Sequence, residues 1–135
     1  MNLNKLDLLD KKAKGVYQLL FFFPYKRRIK VGQKGSFNFP KGYYVYTGSA
    51  ENGLKKRIVR HHKKRKKKFW HIDYLLPHAS IKDVVIHVNK SECYWNNRLF
   101  DLAESEVIVK GFGASDCRCK AHLMYFRKKP ELNFQ

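Results

Sequence analysis

The spacing of apolar positions changes several times along the chain, and each change marks an element. Gly15-Val-Tyr-Gln-Leu-Leu-Phe-Phe-Phe23, closed by Pro24, is rich in β-branched and aromatic residues, which predicts a buried central strand. Arg28-Ile-Lys-Val-Gly32 alternates charged and apolar residues, the pattern of a short half-exposed strand, and Gly32 and Gly35 mark turns around it that give a hairpin or a meander. After Pro40-Lys-Gly42 the next strand runs through Tyr43 to Tyr46. Its two-residue period sends Tyr44 and Tyr46 to one face and Tyr43 and Val45 to the other.

From Leu54 the spacing turns helical. Leu54, Ile58 and His61 or His62 recur on one side, while Arg57, Arg60 and His61 share a flank. Phe69 to Leu76 is expected to anchor the chain back onto the core and to stop at Pro77. Val84 to Val88 reads as a strand. Ser91 reads as the N-cap of a helix over Glu92 to Ala103, with Trp95, Leu99 and Leu102 inward and Glu92 in the first turn. Gly111-Phe-Gly113 is a turn, and Leu123 to Phe126 suits a closing strand. No repeat or linker divides the chain, so the expectation is an α+β fold with a small mixed central β-sheet flanked by helices. Residues 1–14 form an arm or short helix, 15–130 a single domain and 131–135 a tail.

Composition adds a partner class. In 135 residues, 29 Lys and Arg stand against 11 Asp and Glu, a net charge of +18. Such a field favours polyanions, and nucleic acid, DNA first with RNA open, is the first candidate, although charge alone does not separate the two. A hydrophobic share of 44% excludes general disorder. The N-terminus lacks the apolar core of a secretory signal, and the longest apolar run, Leu19 to Phe23, is too short to span a bilayer. Of three cysteines, Cys117 and Cys119 are separated by one residue, which makes a mutual disulfide awkward. These features point to a soluble cytoplasmic protein in a reducing compartment.

The chemistry-bearing residues gather around one strand-to-helix corner. Tyr17 and Tyr46 lie on neighbouring strands, and a phenol of ordinary pKa about 10 in cationic surroundings becomes a usable base. Arg57 and His61 are four apart and meet on one helix face. Arg57 would hold a scissile phosphate with its planar fork, and His61 would orient water or protonate the leaving oxygen. The plainer alternative is core tyrosines beside a basic stripe. Lys55, Lys56, Arg60, Lys63, Lys64, Arg65, Lys66, Lys67 and Lys68 would grip successive phosphates without reading bases, with strong salt dependence. A solvated helix end is their ordinary role.

Cys117, Cys119 and His122, with Cys93 and His71 as distant companions, offer thiolates and imidazoles to Zn²⁺. The Cys-x-Cys spacing is less diagnostic than paired Cys-x-x-Cys and shows no fourth ligand. Buried free cysteines beside a core histidine are therefore preferred to zinc. His71 and Asp73 read as a hydrogen-bonded anchor or as members of the same cluster.

Gly15-Val-Tyr17, Tyr46-Thr-Gly48, Arg57, His61 and a helix-borne Glu92 together resemble the GIY-YIG nuclease superfamily. Tyr43-Tyr-Val-Tyr-Thr-Gly-Ser-Ala50, Gly53-Leu-Lys-Lys-Arg57, Trp70-His-Ile-Asp-Tyr-Leu75 and Gly111-Phe-Gly-Ala-Ser-Asp-Cys-Arg-Cys119 are similar to a small branch found stand-alone or fused to endonuclease III-like repair enzymes. The resemblance covers Gly15 to Phe126. It implies a metal-dependent endonuclease in which Tyr17, Tyr46 and Arg57 surround the attacked phosphate and Glu92 binds one Mg²⁺ or Mn²⁺. A phenolate-activated water would attack, leaving a 3′-hydroxyl and a 5′-phosphate. The long span between the motif tyrosines requires an added hairpin from about Lys26 to Phe39. Glu104 and Glu106, at the end of the same helix, remain alternatives to Glu92, and the helix also carries Asn96 and Asn97. Two other readings stay open: a non-catalytic DNA- or RNA-binding module, and a zinc-stabilised adaptor of a DNA-repair protein.

Overall fold

A computed structural model describes residues 10, 12–51, 53–114 and 117–132. Most of the expected N-terminal arm, Ser115 and Asp116, and the end of the tail lie outside the described residues. The elements are β1 (Gly15–Phe23), β2 (Arg27–Val31), β3 (Gly35–Phe39), β4 (Gly42–Ala50), α1 (Leu54–His62), β5 (Ser80–His87), α2 (Glu92–Phe100), β6 (Ser105–Glu106) and β7 (Leu123–Phe126), with short 3-10 turns at Gly32–Lys34, His71–Tyr74 and Leu76–His78.

The fold is α+β, and its central five-stranded sheet runs in the order β5-β1-β4-β7-β6. All of its pairings are antiparallel, a correction to the mixed sheet read from the sequence. The hairpin between the motif tyrosines explains how β1 and β4 still meet. β2 and β3 fold out as their own two-stranded sheet. β1 and β4 are left to pair directly from Gly15 opposite Ala50 to Phe23 opposite Gly42.

Strand alternation divides the core in two. Tyr17, Leu19, Phe21 and Phe23 of β1 lie with Tyr44 and Tyr46 of β4 and with Leu54 and Ile58 of α1 in the larger cluster. Leu20, Val45, Leu99, Met124 and Phe126 form the smaller one beneath α2. The expected facing of the tyrosines therefore holds. Phe21 stacks on Tyr44 with centroids 5.5 Å apart, and such a pair contributes about 0.5–1.5 kcal/mol beyond its area.

Helix ends follow local chemistry. Ser91 caps α2 by accepting a hydrogen bond from the Tyr94 backbone N–H at 3.0 Å. α2 stops at Phe100, short of the expected Ala103; Glu104 has positive φ, and Glu106 lies in β6. Neither residue ends the helix. α1 has no side-chain N-cap. At its C-terminal end Lys66 Nζ donates to the carbonyls of Arg60, His61 and Lys63 at 3.0, 3.2 and 3.0 Å. Among the described residues no helix is long and apolar enough to cross a membrane.

Candidate active site and metal cluster

β7 is shorter than β4 and pairs with it only from Tyr43 to Tyr46. Past Tyr46 the ladder ends on one further bond, from the Thr47 N–H to the His122 carbonyl at 3.0 Å, and the site is built there. Tyr17, Tyr46 and His61 form a triangle of rings, with centroids 6.3 Å apart between the tyrosines and 5.4 and 6.1 Å from His61 to Tyr17 and Tyr46. The Tyr17 hydroxyl lies 2.6 Å from His61 Nε2. Room for that phenol comes from Gly48, its cross-strand partner, on which a Cβ would stand 2.6 Å from the Tyr17 oxygen. Gly113, at φ +65°, backs Tyr46, and a Cβ there would lie 3.2 Å from the ring.

α1 brings Arg57 to the corner. Its Nη1 donates to the Ser49 carbonyl at 3.0 Å, and its guanidinium lies 4.3 Å from the centroid of the Trp70 ring. Arg60 also lies over Trp70, at 4.4 Å, and forks onto Asp73 at 2.8 and 2.9 Å. Burial opposes ionisation of Asp73, but the Arg60 fork and the N–H groups of Trp70 and Phe69 outweigh it and hold the carboxyl below its usual range. His71 takes no part in that pair or in the cysteine cluster; its Nδ1 accepts from the Gly113 N–H at 3.0 Å.

A cleft of about 290 Å³ opens between these elements, lined by Tyr46, Ser49, Arg57, Phe69, Trp70, His71, Glu92, Gly113 and Cys117. Tyr46, Arg57 and Glu92 thus share one locus. Tyr17 and His61, both about 1% exposed, stand behind this wall rather than in it. Burial, only partly offset by Arg57, raises the Tyr17 pKa well above the ordinary phenol value, and burial raises Tyr46 likewise. The expected lowering by cationic surroundings is reversed because desolvation is the larger effect. Burial, reinforced by Lys66, lowers His61 to about 3. It is a neutral imidazole at pH 7 and not a ready proton donor to a leaving group.

Beside the cleft, and sharing Arg57 and Trp70 with it, a groove of about 790 Å³ is lined by Lys55, Lys56, Arg60, Lys63, Arg65 and Lys66 among others. Three of the expected phosphate-gripping cations are already engaged in the fold. Arg60 holds Asp73, Lys66 caps α1, and Lys64 Nζ donates to the carbonyls of Leu76 and Ala79 at 3.2 and 2.7 Å. Lys56, Lys63, Arg65, Lys67 and Lys68 are exposed.

On the other wall the donor atoms of Cys93, Cys117, Cys119 and His122 all lie within 4.8 Å of one another, a cluster able to hold a metal ion such as zinc. Cys93, a distant companion in the sequence reading, is the fourth member. Glu92 Oε2 lies 3.2 Å from His122 Nδ1. Burial disfavours charge on His122, yet its hydrogen bonds with Glu92 and Cys119 push its pKa up to about 9.

Sequence reasoning also missed a buried polar network behind the sheet. Gln18 donates to Thr47 Oγ1 at 3.1 Å and to the Trp95 carbonyl at 3.2 Å, its Oε1 lies 2.9 Å from His87 Nε2, and His87 stacks on Trp95 at 3.7 Å. A glutamine inside an apolar run was the available signal. Comparison with curated proteins and with solved structures finds no match. The model of one family, described as Domain of unknown function DUF123, matches residues 16–135. The chain therefore belongs to the DUF123 family.

Proposed function

We propose that the protein is an endonuclease that hydrolyses nucleic-acid phosphodiesters in the cleft between Tyr46, Arg57 and Glu92, in the manner of the GIY-YIG nucleases it resembles. The observation that carries this reading is the convergence of a phenol, a guanidinium and a carboxylate on one cleft that adjoins a cationic groove. Arg57 holds the phosphate and offsets charge as it develops. The Tyr46 hydroxyl orients the attacking water by hydrogen bonding. Water oxygen adds to phosphorus, the bond to the 3′ oxygen breaks, and a water proton ends on that oxygen, leaving a 3′-hydroxyl and a 5′-phosphate. Tyr17 and neutral His61 hold Tyr46 from behind.

Glu92 is the residue that would hold Mg²⁺ or Mn²⁺, because it is the carboxylate that lines the cleft beside Tyr46 and Arg57. The cation would supply Lewis-acid stabilisation of the phosphate. Lys56, Lys63, Arg65, Lys67 and Lys68 supply a salt-sensitive grip on the backbone of DNA, or of RNA. Exposed Phe69 beside the cleft offers a ring on which a base can stack. Three free thiols suit the reducing cytoplasm, and a repair context follows only from the resemblance.

A panel of branched, nicked and single-stranded DNA and of RNA, incubated with Mg²⁺ or with chelator, tests the reading. Cation-dependent cutting is expected, abolished in Glu92→Ala and lowered about 10²–10³-fold in Arg57→Ala. The second reading, a binding module without turnover, is favoured by the burial that keeps both phenols protonated. Retained binding with no cutting by clean wild-type protein would select it.

A further inference from the structure

Hydrolysis in the cleft makes no use of the three cysteines, and all three converge on one point with His122. The Sγ atoms of Cys93 and Cys119 are 2.9 Å apart, while Cys117 and Cys93 Sγ stand 3.1 and 3.8 Å from His122 Nε2. The donors come from the first turn of α2, from the loop that follows Ala114 and from the residue before β7. Cys117, Cys119 and His122 lie within one short stretch, and the fold brings Cys93, 26 residues before Cys119, onto them.

Three thiolates and an imidazole form a soft donor set that suits zinc and not an oxygen-seeking cation. Around a tetrahedral ion with metal–sulfur bonds of about 2.3 Å, neighbouring donors sit about 3.5–3.8 Å apart. The observed spacings bracket that range, so loading would open the close sulfur pair by less than about 1 Å. Four protein donors close the coordination shell, the mark of a structural site.

The other face of His122 carries the consequence. Its Nδ1 lies 3.2 Å from Glu92 Oε2 and 3.3 Å from the Thr47 carbonyl. A histidine that ligates through one nitrogen while the other donates to a carboxylate is fixed in tautomer and orientation and binds its metal more strongly. The same imidazole therefore touches both the sulfur cluster and the carboxylate that lines the cleft.

We propose that Cys93, Cys117, Cys119 and His122 bind one Zn²⁺, with Glu92 as the carboxylate that orients His122, so that the ion fixes the wall of the cleft on which Glu92 stands. The thiols release their protons to solvent as the ion enters. Glu92 acts on the zinc only as a positioning residue.

The test uses the full chain, purified under reducing conditions without chelator. About one equivalent of zinc per chain is expected by metal analysis. Cobalt added to the reduced, metal-free chain should give thiolate-to-metal charge-transfer absorption and the intense visible bands of a tetrahedral site. Cys119→Ser should lose both, and Glu92→Gln should keep the tetrahedral spectrum while weakening zinc affinity about 10–100-fold in chelator competition. Because Cys119→Ser could fail to fold, the wild-type cobalt titration decides the site. No charge-transfer band, or a Cys93–Cys119 disulfide in protein alkylated at cell lysis, overturns it, and unchanged affinity in Glu92→Gln overturns the role of Glu92. These measurements contain no nucleic acid, so their failure leaves hydrolysis untouched and a failure of cleavage leaves them untouched.

Discussion

Gly48 and Tyr17 face each other across β1 and β4, and a methyl on Gly48 would overlap the Tyr17 hydroxyl at 2.6 Å and its Cζ at 2.7 Å. The glycine is the space in which the phenol lies. Gly48→Ala is predicted to cost about 1–3 kcal/mol, the usual penalty of overpacking a fixed core, read as a lower urea midpoint at unchanged slope. His61 gives a second residue-scale prediction. The folded protein keeps it neutral down to pH about 3, whereas in the unfolded chain it protonates near pH 6.5. Its contribution is complete above pH 6.5 and is lost as pH falls toward 3, by at most about 1.4 kcal/mol per pH unit. Burial lowers His71, His78 and His87 in the same direction. The difference between wild type and His61→Gln isolates the one residue: urea unfolding at stepped pH should show a flatter acid slope in the variant, and equal slopes would refute the assignment. The helical spacing left His61 on either the apolar side with Leu54 and Ile58 or the flank with Arg57; the ring lies on the buried stripe of α1 and turns inward toward Tyr17.

At the scale of elements, period and punctuation made β1, the β2–β3 hairpin, β4, α1, α2 and β7 legible, and the Ser91 cap with them. β6 was hidden because two residues, Ser105–Glu106, carry no period. The first half of β5 was hidden because Ser80-Ile-Lys-Asp83 is mostly polar; its place is set by hydrogen bonding to β1, with a register shift between Leu20 and Phe21. The lysine run divides into two groups, since whether a cation turns outward or toward a free carbonyl depends on where the helix ends. Lys66 serves the carbonyls of α1 and Lys56 is exposed. Lys66→Ala is therefore expected to lower thermal stability with little change in nucleic-acid affinity. Lys56→Ala should do the reverse, reducing the slope of log affinity against log salt by about 1. Paired melting curves and salt titrations measure both.

At the scale of the molecule, a net charge of +18 makes a polyanion the expected class of partner. Composition does not say where that charge is available. Much of what closes the site is long-range: Cys93 and Cys119 are 26 residues apart, His122 and Thr47 75 apart, and Tyr17 and His61 44 apart. A one-residue shift of register between β1 and β4 would turn Tyr17 to the face under α2 and dismantle the triangle. The motif residues were visible in the sequence, whereas the burial that raises both phenols and the linkage of Glu92 to His122 needed the packed fold. The central claim is that Tyr46, Arg57 and Glu92 act together on a phosphate. It is tested most directly by end-labelled nucleic acid incubated with wild type, Arg57→Ala and Glu92→Ala, with divalent cation or chelator. The account predicts cation-dependent fragments from wild type, far fewer from Arg57→Ala and none from Glu92→Ala, while all three proteins still bind. Intact substrate in every wild-type lane, or undiminished cutting by Glu92→Ala, would contradict it.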